Sequence, residues 1–209
     1  MLIVERLNHR LFSKISLRVI ASAAFGLLAW TLILSEKNVG AVEAPAVAAD
    51  FSLLDLNSRS EIRGHWSDAK VGTVVVFLSS RCPCSMAHEA QLAELAREFA
   101  PKGIQFIGVH ANQDEDRKLA EAHFQSVRLP FPVGRDEGAE LANRLKAFKT
   151  PHAFLLNRRG EVIFQGGVDD SQDPSRAQKF FLRDALVAWQ SGKRPDPSQV
   201  RVLGCAIRR

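Results

Sequence analysis

Cysteine is scarce in this chain. Three occur in 209 residues, an odd number that allows at most one intramolecular disulfide and leaves one thiol over. A disulfide-stapled scaffold is therefore excluded, and a redox-active or metal-binding set fits better. Positive charge is also scarcer than the total suggests. The net charge is +5, and three of those charges lie within the first 34 residues, where Arg6, Arg10, Lys14 and Arg18 stand against Glu5. What remains is small, and no basic stripe with interleaved aromatics follows, so nucleic acid is excluded as a partner. Repeats are lacking too, and no low-complexity tract occurs beyond the Ala/Pro stretch Ala41–Ala49. With 46% hydrophobic residues, the chain has enough apolar content for one cored domain plus an appendage.

The appendage is N-terminal. Residues 1–18 form a basic segment, and residues 19–34 are apolar apart from Ser22 and Thr31. A basic flank before an apolar run reads as export with the N-terminus kept in the cytoplasm. The run is near the lower limit of about 17 residues for a spanning helix. Ala44-Pro45-Ala46 and Ala46-Val47-Ala48 have the small-x-small form of a cleavage site, but both lie far beyond Leu34. The expectation is an uncleaved single-pass transmembrane anchor in a bacterial inner membrane. Residues 35–49 would be the linker and the following domain would be periplasmic, where thiol pairs can cycle. A cleaved signal, which would release the protein, and a mitochondrial presequence are the alternatives.

Cys82-Pro83-Cys84 stands where the apolar, β-branched run Thr73–Leu78 stops and a helix-like segment begins at Ser85. A cysteine at the first turn of a helix faces unsatisfied N–H groups and the positive end of the helix dipole, and both favour the reactive thiolate. Pro83 suits the first helical position because it needs no N–H partner there. Arg81 adds a neighbouring cation.

From residue 50 onward, strand and helix alternate. Phe51–Leu56 reads as an edge element, and Thr73–Leu78 as a strand buried on both faces. Met86, Ala90, Leu92, Leu95 and Phe99 mark an amphipathic helix over 85–100, ended by Pro101-Lys102-Gly103. Ile104–Val109 is a further strand, followed by helices over 114–125 and 137–148, the latter with Leu141, Leu145 and Phe148 on one side. His152–Leu156 and Val162–Gln165 flank the turn signal Asn157-Arg158-Arg159-Gly160. Ser175 is the candidate cap of a closing helix to about residue 190, with Gly192 just beyond. The fold class is α/β, with a central mixed β-sheet flanked by helices over residues 50–192 and a tail over 193–209.

Four stretches then carry a resemblance. They are Asp50-Phe51-Ser52-Leu53, the strand–Cys82–helix junction, the Gly103–Val109 strand, and Lys149-Thr150-Pro151 before Phe154–Gly160. Residues 50 to about 190 resemble the thioredoxin-like superfamily, in its redoxin branch of AhpC/TSA-like and anchored TlpA-like proteins. The resemblance implies a thioredoxin-like fold and a cis Thr150-Pro151 bond with the proline beside the nucleophilic Cys82. Two departures stand out. The usual C-x-x-C is C-x-C here, and a Cys82–Cys84 bond would close a small, strained and easily reduced ring. The peroxiredoxin signature P-x-x-x-T-x-x-C is also incomplete, with Val75 at the proline position and Ser79 at the threonine.

Three functions follow as expectations. The first is an extracytoplasmic thiol–disulfide oxidoreductase. Cys82 is its nucleophile, Arg81 helps hold the thiolate, and Thr150 and Pro151 shape the groove. Cys84 resolves the mixed disulfide, or Cys205 does so from a Gly-Cys-x-Ile tail that looks similar to those of some anchored redoxins. Its partners are protein or small-molecule disulfides and an upstream thiol reductant, and it needs no cofactor. The second is a thiol peroxidase in which Cys82 passes through a sulfenic acid. The third is a Sco-like Cu(I) chaperone with Cys82, Cys84 and His88 as ligands, Met86 nearby, and Cys205 as a further candidate, since soft thiolates select Cu(I). His110 and His152 are candidates to tune a thiol or act as ligands.

Overall fold

The computed structural model describes residues 49–209. The basic segment, the apolar run and nearly all of the linker lie outside those residues. Among the described residues no helix is long and apolar enough to cross a membrane.

Among the described residues, fourteen helices and strands follow in chain order. β1 (Phe51–Asp55) and β2 (Glu61–Gly64) form a hairpin. β3 (Gly72–Leu78) leads into the short helix α1 (Pro83–Ala87) and then α2 (Glu89–Phe99). Next come β4 (Ile104–His110), α3 (Arg117–Val127), β5 (Val133–Arg135), α4 (Glu140–Arg144), β6 (Lys149–Thr150), β7 (His152–Leu156), β8 (Val162–Gly166), α5 (Phe181–Gln190) and β9 (Cys205–Ala206). Seven strands make one mixed sheet in the order β2-β1-β5-β4-β3-β7-β8, and β6 and β9 make a separate pair. The expected α/β architecture is present.

β3 explains why the sheet is central. Every one of its residues is buried, so alternate side chains feed two cores. Val74, Val76 and Leu78 pack with Leu92, Leu95 and Phe99 of α2, Phe124 of α3 and Leu186 of α5. Val75 and Phe77 pack on the other face with Ile107, Phe154, Leu141 of α4 and Ile207 of the tail. β3 runs parallel to β4, and β4 parallel to β5. Their C-terminal ends therefore open on the same edge, where Cys82 begins its helix.

Several sequence expectations are corrected. The helix over 85–100 is broken at His88, whose ψ of −4° interrupts the helical path between α1 and α2. The helix over 114–125 starts later, capped by Asp116, whose carboxylate accepts the Leu119 N–H at 3.0 Å. The helix over 137–148 shrinks to α4 after a 3-10 turn with Gly138 and Ala139 at positive φ, and Phe148 is half-exposed. Ser175 does not cap α5. It lies in the 3-10 turn Pro174–Arg176, where its N–H donates to Asp173. β2, β5 and β9 are too short to show a period. Gly192 does sit just past α5, at φ +75°.

Candidate active site

Cys82 occupies the N-cap of α1 in an extended conformation (φ −78°, ψ 113°), with Pro83 at the first helical position. Ser79 fixes its backbone: the Ser79 hydroxyl oxygen accepts the N–H of Cys82 at 2.9 Å and of Arg81 at 3.1 Å. Ser85 Oγ accepts the Ser79 N–H at 3.0 Å and so ties the loop to the helix. Both Cys82 and Cys84 are buried.

β6 closes the opposite side. The Thr150-Pro151 peptide is cis, and Thr150 presents its carbonyl oxygen 3.2 Å from Cys82 Sγ. β9 pairs antiparallel with β6, placing Cys205 directly opposite Thr150. That register brings the tail thiol to the side of Thr150 that Cys82 faces. Gly204 makes the approach possible. Its φ is +134°, and a Cβ there would run into the Thr150 carbonyl.

The three thiols are chemically unequal. Burial pushes Cys82 up, but hydrogen bonds from the Cys205 thiol, the Ser85 N–H, the Thr150 hydroxyl and the Cys205 N–H outweigh it. Cys82 therefore titrates below an ordinary thiol. As a thiol, Cys82 donates to the Thr150 carbonyl. As a thiolate it can only accept, and the buried Thr150 hydroxyl, otherwise unpartnered, is the donor at hand. Cys84 is pushed up to about 11 by burial and by the negative charge of Cys82, Cys205 and Asp169. Cys205 is pushed up to about 11 as well, first by its hydrogen bond to Cys82 and then by partial burial. Cys82 is thus the most acidic of the three thiols.

Beneath Cys82 lies a buried polar network centred on Glu115. Its carboxylate accepts from Ser79 Oγ at 2.5 Å, Ser80 N at 2.9 Å, Ser80 Oγ at 2.6 Å and the Asn112 amide. His110 Nε2 donates to it at 2.9 Å, while His110 Nδ1 accepts from Arg135 Nη1 at 3.0 Å. The pattern fixes His110 as the neutral Nε2–H tautomer. Burial works against the Glu115 carboxylate, but the donors from His110, Ser79, Ser80 and Asn112 win and hold it well below the usual range. Asn112 also accepts the Arg208 N–H at 3.1 Å, so the network grips the tail that carries Cys205.

The other sequence candidates are placed as follows. Arg81 is exposed, and its backbone N–H, rather than its guanidinium, joins the site. Ser79, standing where a peroxidase has threonine, gives its proton to Glu115. His152 is buried between the rings of Phe148 and Phe154. His88 is buried, with Nδ1 2.6 Å from the Cys84 carbonyl and Nε2 3.1 Å from Asp169 Oδ1. Both ring nitrogens of His88 are committed and Met86 is exposed, and no group of three His, Cys, Asp or Glu side chains among the described residues forms a metal cage. The sequence reading missed Glu115 and Asp169. Glu115 follows a strand that ends on the same sheet edge as Cys82, a position where binding residues gather. Asp169 has no comparable local mark.

An acidified cysteine at a helix start, facing a cis-proline across the carboxyl edge of a mixed sheet, defines a thioredoxin-like redox protein. The chain belongs to the AhpC/TSA family, whose model matches residues 45–165, more than half its length, and it is an oxidoreductase acting on thiols. It is similar to the thiol-disulfide oxidoreductase ResA of Halalkalibacterium halodurans, at 23% identity over 160 residues, 75% of this chain and 85% of that relative. Among solved structures, an uncharacterized conserved protein from Geobacillus kaustophilus has a TM-score of 0.72 at 24% identity, covering 81% of this chain and 94% of its own. A hypothetical protein from Sinorhizobium meliloti 1021 has a TM-score of 0.70 at 25% identity, covering 81% and 96%.

Proposed function

We propose that the protein is a thiol–disulfide oxidoreductase whose nucleophile is Cys82 and whose resolving thiol is Cys205. The observation that carries this reading is the β6–β9 register, which sets Cys205 opposite Thr150, the residue whose carbonyl oxygen lies 3.2 Å from Cys82 Sγ, with Cys82 lowered and Cys205 raised. The Cys82 thiolate attacks one sulfur of a substrate disulfide, and the other sulfur leaves as a thiolate. A mixed disulfide on Cys82 results. Cys205 then loses its proton and attacks Cys82 Sγ, forming the Cys82–Cys205 bond and releasing the second substrate thiolate. An upstream thiol reductant returns the pair to the dithiol. The lower acidity of Cys205 suits its task, because a more basic sulfur is the stronger nucleophile once deprotonated. The substrates are protein or small-molecule disulfides. The similarity to ResA, a thiol-disulfide oxidoreductase by name, supports this class of reaction.

We further propose that residues 19–34 anchor the protein in a bacterial inner membrane with the redox domain outside the cytoplasm. The basic flank and apolar run support this reading, and the thiol chemistry suits that compartment.

The test uses oxidised glutathione as a model disulfide. Cys82→Ser abolishes turnover, and Cys205→Ser accumulates a mixed disulfide on Cys82 with turnover down on the order of a hundredfold, the scale of losing one positioned group. Full turnover in Cys82→Ser, or no trapped mixed disulfide in Cys205→Ser, overturns the assignment.

A further inference from the structure

Among the described residues, five hydrogen-bond donors converge on the buried Glu115 carboxylate. Ser79 Oγ and the Asn112 amide donate to Oε1, while Ser80 N, Ser80 Oγ and His110 Nε2 donate to Oε2. An ionised carboxylate has the lone pairs for such a set, whereas an amide would turn its own N–H groups toward some of those donors. Oε1 is the point where two arms meet. One arm runs to the nucleophile. The single proton of Ser79 Oγ goes to Oε1, and both lone pairs of that hydroxyl accept backbone N–H groups, from Cys82 at 2.9 Å and Arg81 at 3.1 Å. With its proton and lone pairs engaged, the Ser79 hydroxyl is held in one orientation. The other arm runs to the tail. Asn112 donates to Oε1 and accepts the Arg208 N–H on its own Oδ1 at 3.1 Å. Arg208 lies three residues beyond Cys205. Four hydrogen bonds in series therefore connect the Cys82 backbone with the tail backbone. Both arms donate toward the same negative charge, which strengthens each of them.

We propose that Glu115 is a positioning residue for the resolving step, because its Oε1 fixes the tail that carries Cys205 against the loop that presents Cys82. The inference rests on the reading of Cys82 and Cys205 given above. In that step the Cys205 thiolate attacks Cys82 Sγ of the mixed disulfide, the Cys82–Cys205 bond forms, and the substrate thiolate leaves with the electron pair. Glu115 exchanges no proton and no electron. What it sets is how often Cys205 stands in line with the bond to be broken. β9 is two residues long, and so short a pairing is weak by itself. Further anchors at Phe148 and Lys149 tie the tail to β6 and its approach. The Asn112 arm ties it instead, through Oε1, to the loop of Cys82. A tail held from β6 alone can pivot, whereas a second fixed point at Arg208 gives the Cys205 thiol one place relative to Cys82. A buried charge is costly when its partners are removed, and here those partners lead to the two cysteines of the cycle.

The experiment compares the unmodified full chain with Asn112→Ala, Ser79→Ala and the double variant. Each is reduced, mixed with oxidised glutathione and quenched in acid over time, and mass spectrometry follows the Cys82–glutathione adduct and the Cys82–Cys205 bond. Equilibration in glutathione buffers of varied ratio then gives the effective concentration of Cys205 at Cys82. A loss of stability in a protein that is still folded does not move that quantity. Because the two arms act in series through one oxygen, cutting either lowers the resolving rate and the effective concentration about tenfold, and cutting both lowers them no further. Independent contacts would instead multiply to about a hundredfold. If Ser79→Ala loses its circular dichroism signature, Glu115→Gln takes its place in the same comparison. An effective concentration in folded Asn112→Ala equal to that of the unmodified protein, or a multiplied loss in the double variant, overturns the inference. Absence of the Cys82–Cys205 bond in the unmodified protein instead overturns the resolving role of Cys205.

Discussion

His152 follows Pro151 and is enclosed by aromatic rings, with centroids 5.1 Å from Phe148 and 4.3 Å from Phe154. Its Nδ1 is buried without a partner among the described residues, and burial pushes the imidazole down to about 4. The unfolded chain takes up the proton near 6.5 and the folded chain only near 4, so stability is full above 6.5 and is lost as pH falls between those values. At about 1.4 kcal/mol per pKa unit, the loss is on the order of 3 kcal/mol. His152→Phe should therefore flatten the melting temperature between pH 6.5 and 4. An unaltered slope in the variant would contradict this account. Glu115 acts lower on the scale: its carboxylate is depressed, so its contribution is present above the ordinary value of 4.5 and lost as pH falls below it. At this scale the sequence was legible wherever a residue belonged to a motif. Cys82, Thr150, Pro151 and Cys205 stand out by spacing and order. Glu115 and Asp169 do not, because a single carboxylate looks the same in sequence whether solvated or buried, and only the folded neighbours separate the two.

Among the elements, the tail is the least expected in its detail. Cys205, a candidate resolving thiol by sequence, returns to the site as β9, held at several points. Ile207 N–H donates to the Phe148 carbonyl at 3.0 Å, Gln113 N–H to the Arg208 carbonyl at 2.8 Å, and Lys149 Nζ to the Val202 carbonyl at 3.3 Å. Ile207 fills one of the two cores. A two-residue strand has no period to read, which is why the pairing with Lys149–Thr150 could not be foreseen. Gly204 is the point on which the docking turns. Gly204→Ala should push the tail off Thr150, speed alkylation of Cys205 on the order of tenfold, the effect of about 1.4 kcal/mol of lost docking, and leave the circular dichroism unchanged. Equal alkylation rates would mean that the tail does not depend on that approach. The break between α1 and α2 was likewise hidden, because the apolar positions continue through His88 while its side chain turns inward to Cys84 and Asp169.

For the whole molecule, alternating apolar strands and amphipathic helices made the α/β class legible, and β3 shows why. Seven residues buried on both faces demand a cover of helices on each side. The placement of the site was legible too, since parallel strands direct their carboxyl ends to one edge. The N-terminal 48 residues bear on location, and the anchor reading makes a plain prediction. The full chain should fractionate with membranes, resist extraction at alkaline pH, and expose residues 50–209 to protease only from the extracytoplasmic side. Recovery of the intact chain in the cytosolic soluble fraction would end that reading.

The central claim is that Cys82 is more acidic than an ordinary thiol because Cys205 and its neighbours stabilise its thiolate. The most direct measurement is the pH dependence of Cys82 alkylation, followed by mass spectrometry in the unmodified protein and in Cys205→Ser. The account predicts a midpoint below the ordinary thiol value of 9.0 that moves upward when Cys205 is replaced. A midpoint at or above 9.0 in the unmodified protein, or the same midpoint in both, would contradict it.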